Sequence, residues 1–387
     1  MRKLNKLIAA AAVLATATAL TVGPALADPV NGKGKAVTPA SFDVVGVGSN
    51  TIEYLLDQLS VDYNAAHKTH NKSHPWIYSW DATNPKTGAL ADLIRTKTGC
   101  AKLARPNGSS AGIATLASNI KDPKGGFCED FARSSRGREP TDPAKGKGGI
   151  LFVALAKDAV TVATLAKGSN APASLSTADL TKIYSCTATH WNQVGGTSTA
   201  KIDPVLPQSS SGTRAFFLTS IGVTTPGTCV TSSETLEENE GIASVFKNHP
   251  NVIVPFSTGK FLAQAYHSPT CANASCTKCH KPKKGQNEFG CDVNGDLKLN
   301  SINGTKPTVG KGAKQTINPN FSAAFVRVVY DVVRYSTSTS DHIPASLEPF
   351  FASKTAKVSG WFCSNKTAHA ALLSYGFLPT PLCGIGF

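Results

Sequence analysis

Apolar positions along this chain fall into short runs that alternate with helical periodicities. Phe42 to Val47 reads as a strand, followed by a tight turn at Gly46-Val47-Gly48-Ser49. From Thr51 to Ala66, Ile52, Leu55, Leu56, Leu59 and Tyr63 recur on one helical face. Trp76 to Trp80 is a second strand, and Ile113 to Ala117 a short helix after a Gly/Ser turn. Gly149 to Leu165 is mostly apolar and is expected to hold a strand and a chain crossover. Ser176-Thr-Ala-Asp179 is a capping signature that opens a helix running to Tyr184. Lys201 to Leu206 is a strand, Gly212 to Ser220 a helix, Val252 to Phe256 a strand and His369 to Tyr375 a late helix. Ala323 to Tyr335 is Val-rich, and its periodicity leaves strand and buried helix both open. Trp76, Trp80, Trp191 and Trp361 lie in apolar stretches and are expected in the core.

Strands alternating with helices imply an α/β fold with a largely parallel sheet. Ligands of such sheets bind beyond the carboxyl ends of the strands, where helix N-termini converge. The strand-to-helix turns are therefore the places to look for chemistry.

The N-terminus is an address. Arg2, Lys3 and Lys6 precede an apolar run from Leu7 to Val22, and Ala25-Leu-Ala27 ahead of Asp28 fits a signal-peptidase site. No Cys stands at the cut, so no lipid anchor is expected. Residues 28–40 form a flexible lead-in, and the mature chain is expected to be secreted. Removing residues 1–27 lowers the formal charge from +14 to +11 through loss of Arg2, Lys3 and Lys6. That surplus favours anionic partners in general. Ten Cys in an exported chain argue for disulfides. Spacing suggests Cys100–Cys128, Cys186–Cys229 and Cys363–Cys383, with two more bridges among Cys271, Cys276, Cys279 and Cys291.

Three turns share a Gly/Ser/Thr composition: Gly46-Val-Gly-Ser-Asn-Thr51, Asn107-Gly-Ser-Ser-Ala-Gly112 and Ser209-Ser-Ser-Gly-Thr-Arg214. A fourth, Arg133-Ser-Ser-Arg-Gly-Arg138, adds guanidinium groups. Glycine lets the backbone approach a ligand closely. Unpaired N–H groups at a helix start favour an anion, hydroxyls add donors, and Arg can grip an oxyanion in bidentate fashion. The bland reading of any single turn is an ordinary N-cap.

At these residues a family resemblance becomes visible. Asp43-Val-Val-Gly-Val-Gly-Ser-Asn-Thr51 resembles the first strand and turn of the phosphate-binding proteins of ABC importers, and Asp130-Phe-Ala-Arg-Ser-Ser135 resembles their D-F segment. Leu175 to Ser185 with His190-Trp-Asn192, then Ser211-Gly-Thr213 and Asn251 to Ser257, resemble later segments in the same order. The resemblance covers roughly residues 42–265. It implies a two-lobed solute-binding fold with a hinged cleft. One lobe would comprise residues 40–152 and 253–387, with a Cys-rich insertion at about 265–319, and the other residues 153–252. It implies no enzymatic activity, no cofactor and no metal. The partners would be inorganic phosphate or a related oxyanion and an ABC importer permease, with no nucleic acid, and the protein would act as a monomer.

By motif position, Ser49, Asn50, Thr51, Ser109 and Ser110 would meet Ser211, Gly212 and Thr213 across the cleft. Arg133, Ser134, Ser135 and Arg214 would complete the anion site. Two positions depart from the family pattern. Ser135 stands where a carboxylate would accept the proton of hydrogen phosphate, and Pro207 stands where an Arg would precede S-G-T. Oxyanions other than phosphate, or another ligand altogether, remain open for the fold.

Other motifs compete. Gly108-Ser-Ser110-Ala-Gly112 fits G-x-S-x-G, with Ser110 as the nucleophile of a hydrolase, but no buried strand precedes it. Cys276-Thr-Lys-Cys279-His280 has the spacing of a haem attachment site or, with Cys271 and Cys291, of a zinc site. Disulfides are the simpler reading in an exported chain. Asp292-Val-Asn-Gly-Asp296 resembles a calcium loop that lacks its glycine and its closing carboxylate. No Walker A string, H-E-x-x-H or dinucleotide fingerprint occurs.

Overall fold

The computed structural model describes residues 28–30, 36–85, 90, 92–234, 236–241, 245–267 and 294–387. The expected signal peptide, the Cys271–Cys291 cluster with its C-x-x-C-H string, and the first part of the calcium-like loop lie outside them.

The chain opens with β1 (Val44–Gly48), α1 (Glu53–Ala66) and β2 (Ile77–Ser79), followed by α2 (Ser109–Ala117) and β3 (Phe131–Ser134). A sixteen-residue strand, β4 (Ile150–Leu165), comes next, buried at every position but Lys157. Beyond it lie α3 (Thr177–Tyr184), β5 (Asp203–Leu206), α4 (Gly212–Ser220), β6 (Thr231–Ser232), β7 (Val252–Ser257) and α5 (Thr258–His267). The last elements used below are β8 (Leu297–Leu299), β9 (Val326–Arg334) and α6 (Lys366–Ser374). The capping signature before α3 is realised in both directions: Ser176 Oγ accepts from Asp179 N, and the Asp179 carboxylate accepts from Ser176 N.

Among the described residues these strands form one sheet in the order β2-β1-β3-β9-β4-β7-β5-β6, with β8 also on β4. The sheet is mixed, which corrects the expectation of a largely parallel one. β1 pairs in parallel with β2 and β3, and β5 with β7 and β6. The central pairs β3–β9, β9–β4 and β4–β7 are antiparallel. The physical reason is that β4 is one uninterrupted strand rather than a strand and a crossover. Its first half lines one pair of apolar clusters and its second half another pair, and β9 returns beside it in the opposite sense. The β9 segment settles as a strand after a short turn at Ala323–Phe325.

Among the described residues four apolar clusters flank this shared spine, and the two largest are the cores of its two halves. Leu55, Leu59, Phe131, Leu151, Val153 and Phe351 belong to the first. Val160, Leu180, Trp191, Phe217, Ile253 and Phe325 belong to the second. Ile302, Ile317, Phe321 and Phe325 pack with the second core. Pairing of Ser301–Ile302 with Ser174–Leu175 carries the chain there. Trp191 and Trp361 are buried as expected, whereas Trp76 and Trp80 are only half-buried, with Trp76 stacked on His70 at 4.1 Å. Three disulfides, Cys100–Cys128, Cys186–Cys229 and Cys363–Cys383, match the spacing-based pairs. No helix among the described residues is long and apolar enough to cross a membrane.

Candidate functional site

The N-terminal turns of α1, α2 and α4 meet where the two halves of the sheet adjoin. Each helix leaves its first N–H groups without intrahelical partners. No side chain caps α1 or α2. Gly108 at the start of α2 takes φ 91°, a left-handed conformation natural only to glycine. At α4 the N-cap is Ser211, whose hydroxyl accepts from Arg214 N at 3.0 Å.

Contact between α2 and α4 is close enough to depend on glycine. A Cβ at Gly212 would lie 2.3 Å from Ser109 Oγ and 2.5 Å from Ser135 Oγ. Those two hydroxyls are 3.3 Å apart, and Ser135 N donates to Ser109 Oγ at 3.0 Å. Across the cleft, Thr51 Oγ1 and Thr213 Oγ1 are 3.1 Å apart.

One carboxylate occupies the space enclosed by these turns, and it belongs to Glu238. Its Oε1 accepts from Thr51 N at 3.2 Å, Thr51 Oγ1 at 3.2 Å and Ser49 Oγ at 3.4 Å. Its Oε2 accepts from Ser211 Oγ and from Thr213 N at 3.3 Å. Glu238, Ser49, Ser211 and Thr213 are fully buried, and Thr51 is nearly so. A buried carboxylate would be costly without such donors. Two backbone amides and three hydroxyls, drawn from both sides of the cleft, thus already hold a negative group.

The twelve residues expected at the site separate by position. Ser49, Thr51, Ser211 and Thr213 surround the carboxylate directly. Asn50, Ser109, Ser135 and Gly212 form the adjoining wall; Asn50 Nδ2 donates to Glu53 Oε1 at 2.9 Å. The remaining four turn elsewhere. Ser110 Oγ accepts from Arg136 Nε at 3.2 Å and Nη2 at 3.1 Å, while Arg136 also pairs with Asp142 at 2.7 Å. A guanidinium cannot act as a base, so this is not a nucleophile's environment. Ser134 Oγ donates to Arg136 O at 2.8 Å. Arg214 Nη1 donates to Pro207 O at 2.8 Å and Ser232 Oγ at 2.6 Å.

Arg133, the last of the four, faces the back of the first turn. Its guanidinium lies behind the first turn, donating to Ser49 O at 3.0 Å, Gly48 O at 3.3 Å and Ser79 Oγ at 2.6 Å. It is fully buried beside acidic groups. Burial pushes the Asp331 carboxyl up to about 8, with Arg133 pulling it back down. Burial also raises the Asp57 carboxyl, again against the pull of Arg133. Arg133 therefore braces the turn, and its charge is engaged away from the cleft.

Two functional candidates escaped the sequence reading. Arg327 on β9 donates to Thr213 Oγ1 at 2.9 Å and Gly212 O at 3.2 Å, and pairs with Asp158 of β4 at 2.8 Å. It brings a cation within one hydroxyl of the pocket, at the register where β9 crosses β4. The other is Glu238 itself. A signal for it exists, since Glu234, Glu237, Glu238 and Glu240 cluster within seven residues of a basic chain. Residues 236–241 cross the cleft between anchors on both sides. Glu237 accepts from Asn107 Nδ2 at 2.6 Å and Gln208 Nε2 at 3.2 Å. Asn239 donates to Thr51 Oγ1 at 3.1 Å and accepts from Ser257 N at 2.8 Å.

Comparison with known proteins agrees with this architecture. The family model for the PBP superfamily domain matches residues 34–266. No curated protein matches the chain. Among solved structures, a protein of Clostridium perfringens described as a phosphate ABC transporter substrate-binding protein, with phosphate bound, superposes with TM-score 0.52 at 13% identity. The match covers 87% of this chain and 99% of that one. An ABC-type phosphate transport receptor from Vibrio cholerae gives TM-score 0.50 at 16% identity, covering 87% and 100%. At these identities the likeness is one of fold.

Proposed function

The chain belongs to the PBP superfamily, and from that premise we propose that it is an exported solute-binding protein that captures inorganic phosphate or a related oxyanion. The observation that carries the reading is the shared grip on Glu238. Thr51 N and Thr213 N, with the hydroxyls of Ser49, Thr51 and Ser211, converge on one negative group from both sides. Amide and hydroxyl donors converging at helix starts are the physical requirement of an anion site. Two structural neighbours named for phosphate transport share the fold.

In this reading Ser49, Thr51, Ser211 and Thr213 hold the ligand, and Asn50, Ser109, Ser135 and Gly212 shape the wall beside it. Arg327 supplies positive potential through Thr213. No bond is made or broken; the work is capture and delivery, with an ABC-type permease as the receiving partner and the binding protein acting as a monomer. Signal cleavage after Ala27 would release it, and three disulfides accord with an oxidising compartment. We place the hinge where β4 and β9 pass between the two cores.

Calorimetric titration of the mature protein with phosphate, arsenate and sulfate tests the reading. Saturable binding of at least one is expected. No heat and no competition at millimolar concentrations of all three would refute it.

A further inference from the structure

We propose that Glu238 is a tethered competitor for the anion cradle, an internal carboxylate that an incoming oxyanion must displace and that thereby sets which anions are accepted. The inference rests on the reading of the cradle as an oxyanion site. Every hydrogen bond that Glu238 accepts comes from a donor that the ligand would need: Ser49, Thr51, Ser211 and Thr213. Side chain and ligand cannot use those donors together, because both are anions and the pocket is buried. Two partly charged helix starts would favour one negative group, while a second would meet direct repulsion at contact distance.

The attachment of residues 236–241 fits a reversible strap. Glu237 bridges Asn107 on one side of the cleft and Gln208 on the other. Asn239 reaches Thr51 and the β7 backbone at Ser257. These bonds hold the carboxylate near the cradle, so its effective concentration there is on the order of millimolar or more. The apparent affinity for a free anion falls by the fraction of time the cradle is vacant. A planar carboxylate presents two oxygens to these donors. A tetrahedral dianion brings more oxygens and a greater charge, so it displaces the tether where a free monocarboxylate does not. The acidic cluster in a basic chain thus acts as a filter against weak anions.

The test compares the mature protein with its Glu238→Ala and Glu238→Gln variants, titrated with inorganic phosphate and with acetate. Glu238→Ala is expected to bind phosphate at least tenfold more tightly than the unaltered protein. Acetate should compete with phosphate in Glu238→Ala only, by replacing the missing carboxylate. Hydrogen exchange in the unaltered protein gives a readout independent of the variants' folding: amides of residues 236–241 should lose protection at saturating phosphate. Phosphate binding by the unaltered protein with equal or weaker binding by both variants would overturn the competitor and leave the oxyanion reading standing. Unchanged or increased protection of residues 236–241 on phosphate binding would overturn it equally. Failure of every form to bind an oxyanion would overturn both.

Discussion

Replacing Ser211 by Ala removes one hydroxyl with two duties. It donates to Glu238 Oε2, and it accepts from Arg214 N at 3.0 Å as the cap of α4. A hydrogen bond to a charged group contributes about 1.5–3 kcal/mol, so in a Glu238→Ala background the substitution should weaken phosphate binding about 10- to 150-fold. In the unaltered protein the same hydroxyl also holds the internal carboxylate. Its loss there destabilises both occupants, and the net effect on affinity should shrink below about fivefold by that cancellation. The lost cap should lower stability by about 1 kcal/mol in either background. Calorimetry on the four proteins of this cycle, with urea unfolding alongside, separates the two duties. Ser211→Thr, which keeps the hydroxyl, should restore most of both. An equal loss of affinity in the two backgrounds would refute the idea that ligand and Glu238 share this donor. Loss of stability with no change of affinity in either would reduce Ser211 to a cap.

Two further outcomes follow from the geometry. Gly212→Ala places a Cβ where Ser109 Oγ and Ser135 Oγ lie 2.3 and 2.5 Å away, so α2 and α4 must separate; phosphate affinity should drop at least tenfold, and unchanged affinity would show that the two turns need not approach. Asp331, fully buried on β9, holds its proton to about pH 8 in the folded chain, whereas in the unfolded chain it ionises near pH 4. The folded state therefore binds more protons across that interval. Stability from this group is complete below pH 4 and falls as pH rises to about 8. Asp331→Asn should flatten the decline in melting temperature between pH 5 and pH 8.5, by on the order of a few kcal/mol in stability, and an unaltered slope would contradict the assignment.

Much of the fold was legible because local signals were strong. The face of α1 and the capping box of α3 each specify an element within a few residues, and so does the Ser-Gly-Thr start of α4. The four residues that surround the Glu238 carboxylate lie in Gly/Ser turns visible in the sequence, where donors gather at helix starts for a ligand or another part of the chain to satisfy. The Arg residues were not. A guanidinium beside a Gly/Ser turn reads equally as ligand contact or brace, and only burial behind the turn, with Asp331 and Asp57 alongside, identifies Arg133 as a brace. Arg327 lies in a valine-rich strand 114 residues from Thr213, a distance that no local pattern spans. The sheet's mixed direction was hidden because β4 looks from composition like two elements. Its unbroken run of sixteen residues is a property of pairing with β9 and β7.

The most direct measurement is a nuclear magnetic resonance titration of the mature protein with phosphate, following the backbone amides of Thr51 and Thr213. Both should shift in a single saturable transition with a common midpoint, since one ligand would meet both. Movement of only one, or of neither while phosphate binds elsewhere, would contradict a shared anion cradle built from opposing helix starts.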